Sequence, residues 1–296
     1  MINVGFCIDD NYLMPACIMI KSMLDNNRAE NIHFYTISND LSENTKKCLK
    51  ELITEKNSEI EFIELPNDII SVFSDINIEV SHISKASFYR LAIPYFLPVV
   101  VDKFIYTDCD VLIRGSIEAL FELELNTKCI AGVKDVNAEY FAKKINVSRY
   151  INSGVLLIDI NKWKQLYDFE QLMKKVKTIC SENNLLMGDQ DIINILFDND
   201  IIYIEDKYNY QKLVFKKYAV QNRKEVKDAI IVHFITSMKP WKNNYVFPYT
   251  MEYYKYLREY LSFAKKICYW IGKIKGLYVM VRLYQERKKR NTCISK

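Results

Sequence analysis

INVGFCIDDNYLMPACIMIKSML (residues 2–24) changes its hydrophobic period partway along. Ile2 to Ile8 is an apolar run of strand length, closed by Asp9, Asp10 and Asn11. From Tyr12 to Leu24 apolar residues recur at helical spacing, and Asp25, Asn26 and Asn27 end the segment. A strand followed at once by an apolar-periodic helix is the first half of a βαβ unit. The following segments repeat the unit. Ile32–Ile37 reads as a strand, Leu41–Ile53 as a helix with Ser42 as its cap, and Ile60–Leu65 as a third strand. This rhythm predicts an α/β fold with parallel strands joined by crossover helices.

Further along, Ser87–Phe96 reads as a helix carrying Arg90, and Lys103–Thr107 as a strand running straight into Asp108-Cys109-Asp110. Cys129–Lys134 and Gly154–Ile160 read as strands, and Lys162–Cys180 as one long amphipathic helix. Asp189–Phe197 reads as a shorter helix with its acids in the first turn, where the helix dipole favours them. Ile201–Ile204 and Ala229–Phe234 read as late strands. No internal repeat or low-complexity linker interrupts the series.

Half of the 296 residues are hydrophobic and 26% are charged, which suffices for one sizeable domain plus an appendage and excludes disorder over most of the length. Met1 is not followed by a basic flank, an apolar core and a small-residue cleavage site, so no secretory signal is expected. No apolar run approaches the roughly 18 residues of a bilayer span. The eight cysteines form no C-x-x-C pair, which argues against a disulfide framework or a zinc site and fits a reducing cytoplasm.

The net charge of +4 is unevenly spread. Residues 263–296 hold ten Lys/Arg against the single acid Glu286, so this tail carries +9 and the rest of the chain −5. A nucleic-acid-binding protein would not confine its basic charge in this way, and no nucleic-acid partner is expected. Phe263, Ile267, Trp270, Ile271, Ile274, Tyr278 and Val281 share one helical face, with most of the Lys/Arg off it. That is the pattern of an interfacial helix seated on an anionic membrane surface, although Gly272 and Gly276 weaken it. A helix packed on the domain ahead of a solvated basic tail has the same composition.

Five groups of residues, with Arg90 beside them, carry possible chemistry. Asp9-Asp10-Asn11 ends the first strand, where open α/β sheets bind ligands; these side chains can accept from a base N–H and from ribose, or simply cap the next helix. Asp108 and Asp110 flank Cys109 at another strand end and can converge on one hard cation, Mg²⁺ or Mn²⁺; solvated loop acids are the plainer alternative. His233 follows the apolar residues Ala229–Val232 as a further metal ligand or a core histidine, with Lys239 a point charge for a diphosphate or a surface lysine. Asn152-Ser153-Gly154 and Gly188-Asp189-Gln190-Asp191 offer polar side chains for a sugar pocket, or a tight turn and a helix start. Arg90 can contact a diphosphate or form a structural ion pair.

FCIDDNY (6–12), SFYRL (87–91), YTDCDVLIRGSI (106–117), YINSGVLLIDINKW (150–163), GDQDIIN (188–194) and HFITSMKPW (233–241) occur in an order and spacing that resemble the family 8 retaining glycosyltransferases. Within that family the likeness is to bacterial galactosyl- and glucosyltransferases of lipopolysaccharide and lipooligosaccharide. It covers residues 1 to about 245. It implies an A-type glycosyltransferase fold: a Rossmann-like mixed sheet flanked by helices over 1–250, with a small basic helical extension over 251–296. Carried over by motif, Asp9 accepts from the uracil and Asn11 touches the ribose. Asp108, Asp110 and His233 hold Mn²⁺ (or Mg²⁺), and Lys239 neutralises the diphosphate of the UDP-sugar. Arg90, Asp135, Asn152, Asp189 and Gln190 surround the donor hexose. One position departs from the pattern: Thr236 stands where the family has a glycine close to the phosphate.

The resemblance implies transfer with retention from a UDP-hexose to a glycan or glycolipid acceptor. Asp189 and Gln190 are the candidate nucleophiles of a double displacement. An amide is a poor nucleophile, so a front-face route, in which the leaving phosphate helps to deprotonate the acceptor, stands beside it. A non-catalytic nucleotide-sugar- or glycan-binding protein is the alternative outside enzymes. The implied location is the cytoplasm, peripheral to the inner face of a bacterial cytoplasmic membrane. The tail reading has a direct check: the intact chain should sediment with anionic vesicles and a chain ending at Leu261 should not. Equal, negligible binding by both would remove the tail as a membrane address.

Overall fold

The computed structural model describes residues 1–54, 58–74, 85–211, 228–235, 239–242 and 249–260. Packing divides the chain into two compact units, Met1–His233 and Phe234–Lys296. The basic tail and Thr236 lie outside the described residues.

The first unit begins with the expected βαβ units. Strands β1 (Ile2–Cys7), β2 (Ile32–Ser38) and β3 (Glu59–Glu64) are parallel neighbours, each followed by a helix: α1 (Leu13–Asn26), α2 (Glu43–Thr54) and α3 (Asn67–Ser74). Pro15 sits in the first turn of α1, where its missing N–H deprives the helix of no bond. Ser42 caps α2 as expected, its Oγ accepting from the Thr45 amide at 3.3 Å.

The chain then crosses to the other side of β1. A 3-10 segment (Lys85–Leu91) and the short helix α4 (Ile93–Phe96) lead into β4 (Lys103–Thr107), which pairs in parallel with β1. The single helix expected over Ser87–Phe96 is therefore broken: Pro94 restricts the backbone, and α4 starts afresh around it. The apolar residues after Asp110 form β5 (Val111–Ile113), followed by α5 (Glu118–Phe121), β6 (Ile130–Lys134) and α6 (Ala138–Ile145).

Strand β7 (Ile151–Asp159) is the longest and is buried over all but its last residue, as a strand covered on both faces must be. It runs antiparallel to β4 and to β6. Helices α7 (Ile160–Leu166), α8 (Phe169–Glu182) and α9 (Asp189–Leu196) follow, then β8 (Ile201–Tyr203), parallel to β6. The sheet order is β3-β2-β1-β4-β7-β6-β8, with β7 alone reversed. β9 (Ile231–His233) pairs antiparallel with β5 in a separate two-stranded ribbon.

The long helix expected over Lys162–Cys180 is two helices. Asp168 leaves helical geometry and caps α8 in a reciprocal box with Gln171, a stop-and-restart signal inside an uninterrupted apolar period. In the second unit, α10 (Thr250–Tyr260) buries Tyr253, Tyr254, Tyr256 and Leu257, and Trp241 stacks on Tyr253 with ring centroids 5.7 Å apart. No described helix is long and apolar enough to cross a membrane.

Asp191, a first-turn acid in the sequence, is fully buried and fixes the loop ahead of α9. Its carboxylate accepts from the Tyr150 hydroxyl; it also accepts from the Leu186 and Met187 amides, both of these at 2.7 Å. Removing it strands one buried and two half-buried donors, whereas removing Asp168 exposes one cap. We expect Asp191→Ala to lower the unfolding free energy by about 3 kcal/mol or more and Asp168→Ala by about 1 kcal/mol, read from urea titrations. Equal losses would refute the anchoring role of Asp191.

Candidate active site

The topology gathers the candidate residues at one edge of the sheet. β1 and β4 are neighbours, yet their chains turn to opposite sides, which makes this the switch point where open α/β sheets bind ligands. Asp9 follows β1 and Asp108 follows β4. Because β7 is reversed, its first residues lie at the same edge as the ends of β4 and β6. Asn152, Ser153 and Gly154 thus come between Asp108 and Asp135: the Asp108 amide donates to the Gly154 carbonyl at 2.8 Å, and the Asp135 amide to the Tyr150 carbonyl at 3.1 Å.

The β5–β9 ribbon adds the histidine. Val111 pairs with His233, one residue after Asp110. His233 Nε2 lies 3.2 Å from Asp110 Oδ1 and 3.8 Å from Asp108 Oδ2. One atom from each of Asp108, Asp110 and His233 falls within 4.8 Å of the others, the one such group among the described residues. Two carboxylates and an imidazole suit a divalent cation of the Mn²⁺ or Mg²⁺ kind. Nδ1 of His233 already faces Asn209 Oδ1 at 3.1 Å, which leaves Nε2 for the cation.

Gly154 makes this approach possible. A Cβ there would lie 2.1 Å from His233 Cε1 and 2.8 Å from Asp108 Oδ2. Only a residue without a side chain lets β7 pass behind both ligands. Gly188 meets a different constraint: it caps α9 at φ 57°, a left-handed backbone in which a side chain is strained.

Arg90 lies buried against this group. Its Nη2 donates to Asp108 Oδ1 at 3.0 Å, its Nε faces Asp189 Oδ2 at 2.9 Å, and its Nη1 donates to the Ser153 carbonyl at 2.7 Å. The guanidinium also stands 4.5 Å from the centre of the Tyr106 ring, whose hydroxyl donates to Asp108 Oδ1 at 2.8 Å. Burial works against the Arg90 charge, and Asp108 and Asp189 more than offset it, so its pKa lies above the ordinary arginine value. Burial pushes the Asp189 carboxyl up to about 6, against the pull of Arg90 and of the Ser87 hydroxyl, which donates at 2.8 Å.

A second cluster adjoins the first. Asn152 Nδ2 donates to Asp135 Oδ2 and Gln190 Oε1, both at 3.1 Å. Gln190 Nε2 donates to Asp135 Oδ2 and to the Tyr150 hydroxyl, both at 3.2 Å, and Gln190 Oε1 also accepts from the Ser153 amide. Asp135 and Asn209 line an adjacent cavity of about 500 Å³, together with Asn137, Tyr140, Tyr210 and Gln211.

The remaining sequence candidates have partners of their own. Asp9 caps the turn Asp10–Tyr12 by accepting from the amide of the exposed Asn11, so the capping role falls to Asp9; Asp10 accepts from the Ser42 amide and hydroxyl at 3.2 Å, a bond between distant segments. Lys239 belongs to the second unit, where its Nζ donates to the Phe234 carbonyl at 2.6 Å. Asn209 was not legible beforehand: nothing in KYNYQ (207–211) marks a site, and its partners are 24 and 57 residues away.

The family model described as "Glycosyl transferase family 8" matches residues 3–245. General stress protein A of Bacillus subtilis is 28% identical over 270 residues, spanning 87% of this chain and 93% of that protein. Lipopolysaccharide 1,2-glucosyltransferase of Escherichia coli K12 is 27% identical over 266 residues, spanning 86% of this chain and 76% of that protein. Among solved structures, the galactosyltransferase LgtC, crystallised with donor and acceptor sugar analogues, superposes with a TM-score of 0.77 at 23% identity over 92% of this chain and all of LgtC. That likeness establishes the fold.

The Gly154 contact yields a test. Gly154→Ala should weaken Mn²⁺ binding by about 10-fold or more in calorimetric titration, because the new methyl displaces the His233 ring. An unchanged affinity would show that His233 is not held where it meets the two carboxylates.

Proposed function

The chain belongs to glycosyl transferase family 8, and from that premise we propose that it is a metal-dependent, retaining hexosyltransferase. In this reading it moves galactose or glucose from a UDP-sugar to a lipopolysaccharide, lipooligosaccharide or other surface glycan acceptor. The observation that carries the reading is the convergence of Asp108, Asp110 and His233 across the β5–β9 ribbon, at the switch point of the sheet. The lipopolysaccharide acceptor draws its support from the name of the Escherichia coli relative.

Asp108, Asp110 and His233 would hold the cation, and Asp9 and Asn11 would bind the uridine. A bound Mn²⁺ would offset the charge that develops on the departing diphosphate. Lys239 would supply a second positive charge there, worth more in the transition state than before it. Arg90, Asp135, Asn152, Asp189 and Gln190 would bind and orient the hexose. The hydrogen bonding favours a front-face route over double displacement. Gln190 Oε1 already accepts two hydrogen bonds, and Asp189 is held by Arg90 and Ser87, so neither oxygen is poised as a nucleophile. In the front-face route their work is to fix the sugar while the leaving phosphate takes the acceptor proton. The basic tail would keep the enzyme at an anionic membrane surface, beside a lipid-linked acceptor.

The deciding measurement is UDP release in Mn²⁺ across a panel of UDP-sugars without acceptor. Slow hydrolysis of one UDP-hexose is expected, abolished by chelation and lowered at least about 100-fold in Asp110→Ala. Metal-dependent UDP binding without turnover, with or without added glycan, would leave a binding protein on this fold. No UDP binding would overturn the reading.

A further inference from the structure

The hydrogen bonds around His233 run in one direction, and that direction can be traced from an unambiguous end. Asp135 supplies a carboxylate oxygen that accepts from Asn152 Nδ2 at 3.1 Å. The Asn152 amide is therefore oriented with its Oδ1 the other way, where it accepts from the Gly154 amide at 3.0 Å and from Asn209 Nδ2 at 2.9 Å. A flipped Asn209 would set two carbonyl oxygens against each other, so its NH₂ faces Asn152 and its Oδ1 faces His233 Nδ1 at 3.1 Å. An oxygen there requires a proton on Nδ1 and leaves the Nε2 lone pair for the two carboxylates' cation.

The backbone holds Asn209 in this position. The Tyr210 amide donates to the Ile231 carbonyl at 2.8 Å, and the Tyr210 carbonyl accepts from the His233 amide at 3.0 Å. These bonds bracket the ribbon strand on which His233 sits, so residue 209 is fixed beside the imidazole. Asn209 is 1% exposed, and both of its side-chain polar atoms are spent on this relay.

We propose that Asn209 is a positioning residue that sets the tautomer and ring orientation of His233 and ties the cation site to Asn152, and through it to Asp135 and Gln190. Its Oδ1 serves the histidine and its Nδ2 serves Asn152, so the two functions are separable by substitution. The proposal rests on the metal reading given above.

The experiment is Mn²⁺ affinity, read from the free-ion paramagnetic resonance signal, in the intact protein and in Asn209→Ala, Asn209→Leu and Asn209→Asp, with melting temperatures alongside. Asn209→Ala and Asn209→Leu should bind Mn²⁺ about 10- to 100-fold more weakly. Asn209→Asp keeps an oxygen for Nδ1–H but cannot donate to Asn152; it should hold Mn²⁺ within about threefold of the parent while KM for the UDP-sugar rises. Parental affinity in the folded Ala and Leu variants would overturn the proposal while leaving the metal reading intact, and so would an Asp variant that binds no better than Ala. If the parent itself bound no Mn²⁺, both would fall.

Discussion

Carboxylates brought within a few ångströms of one another repel, and repulsion grows as water is removed. Asp108, Asp110, Asp135 and Asp189 nonetheless gather at one sheet edge. The ion pairs of Arg90 make this arrangement tenable. Buried between Asp108 and Asp189, it lends a positive charge to both, while its carbonyl contact to Ser153 ties the charge to the backbone of β7. The arginine consumes one oxygen of Asp108 and leaves the other turned toward His233. The clamp thus accounts for Asp189 and one oxygen of Asp108, while the other oxygen of Asp108 and Asp110 face His233.

The fold delivers these groups by simple means. Parallel strands bring only their carboxyl ends to the ligand edge. Reversing β7 brings an amino end to the same place, and with it Asn152, Ser153 and Gly154, which precede the strand's apolar stretch. The β5–β9 ribbon adds a second direction, so that Asp110 and His233 meet although 122 residues separate them. Gly154 sits where these arrangements cross, and the space it leaves is filled by the histidine ring.

Much of this was legible in the sequence, and the gaps have physical reasons. The β1 to β3 units declared themselves because period and turn chemistry agreed over 60 residues. The convergence of Asp108, Asp110 and His233 was legible as a family motif, though Asp108-x-Asp110 and a single histidine are weak signals in isolation. The helix break at Asp168 was missed because the apolar period continues straight through it, and only cap geometry separates α7 from α8. Asp10 and Asp191 read as helix-end acids. Asp10 instead holds Ser42 at the surface, and Asp191, fully buried, anchors the loop ahead of α9; spacing encodes neither partner. Asn209 was silent because its meaning lies wholly in partners distant along the chain.

The ribbon that joins Asp110 to His233 also sets an order of assembly. Strands β1 to β4 can pair with one another as soon as the first 107 residues exist. Among the described residues, β5 pairs only with β9, which ends at His233. Closing so long a loop is slow relative to local pairing. A nascent or truncated chain can therefore possess most of the sheet and still lack the imidazole that completes the cation site. The proposed cation site is thus completed by a pairing that comes late along the chain, after the sheet that carries it.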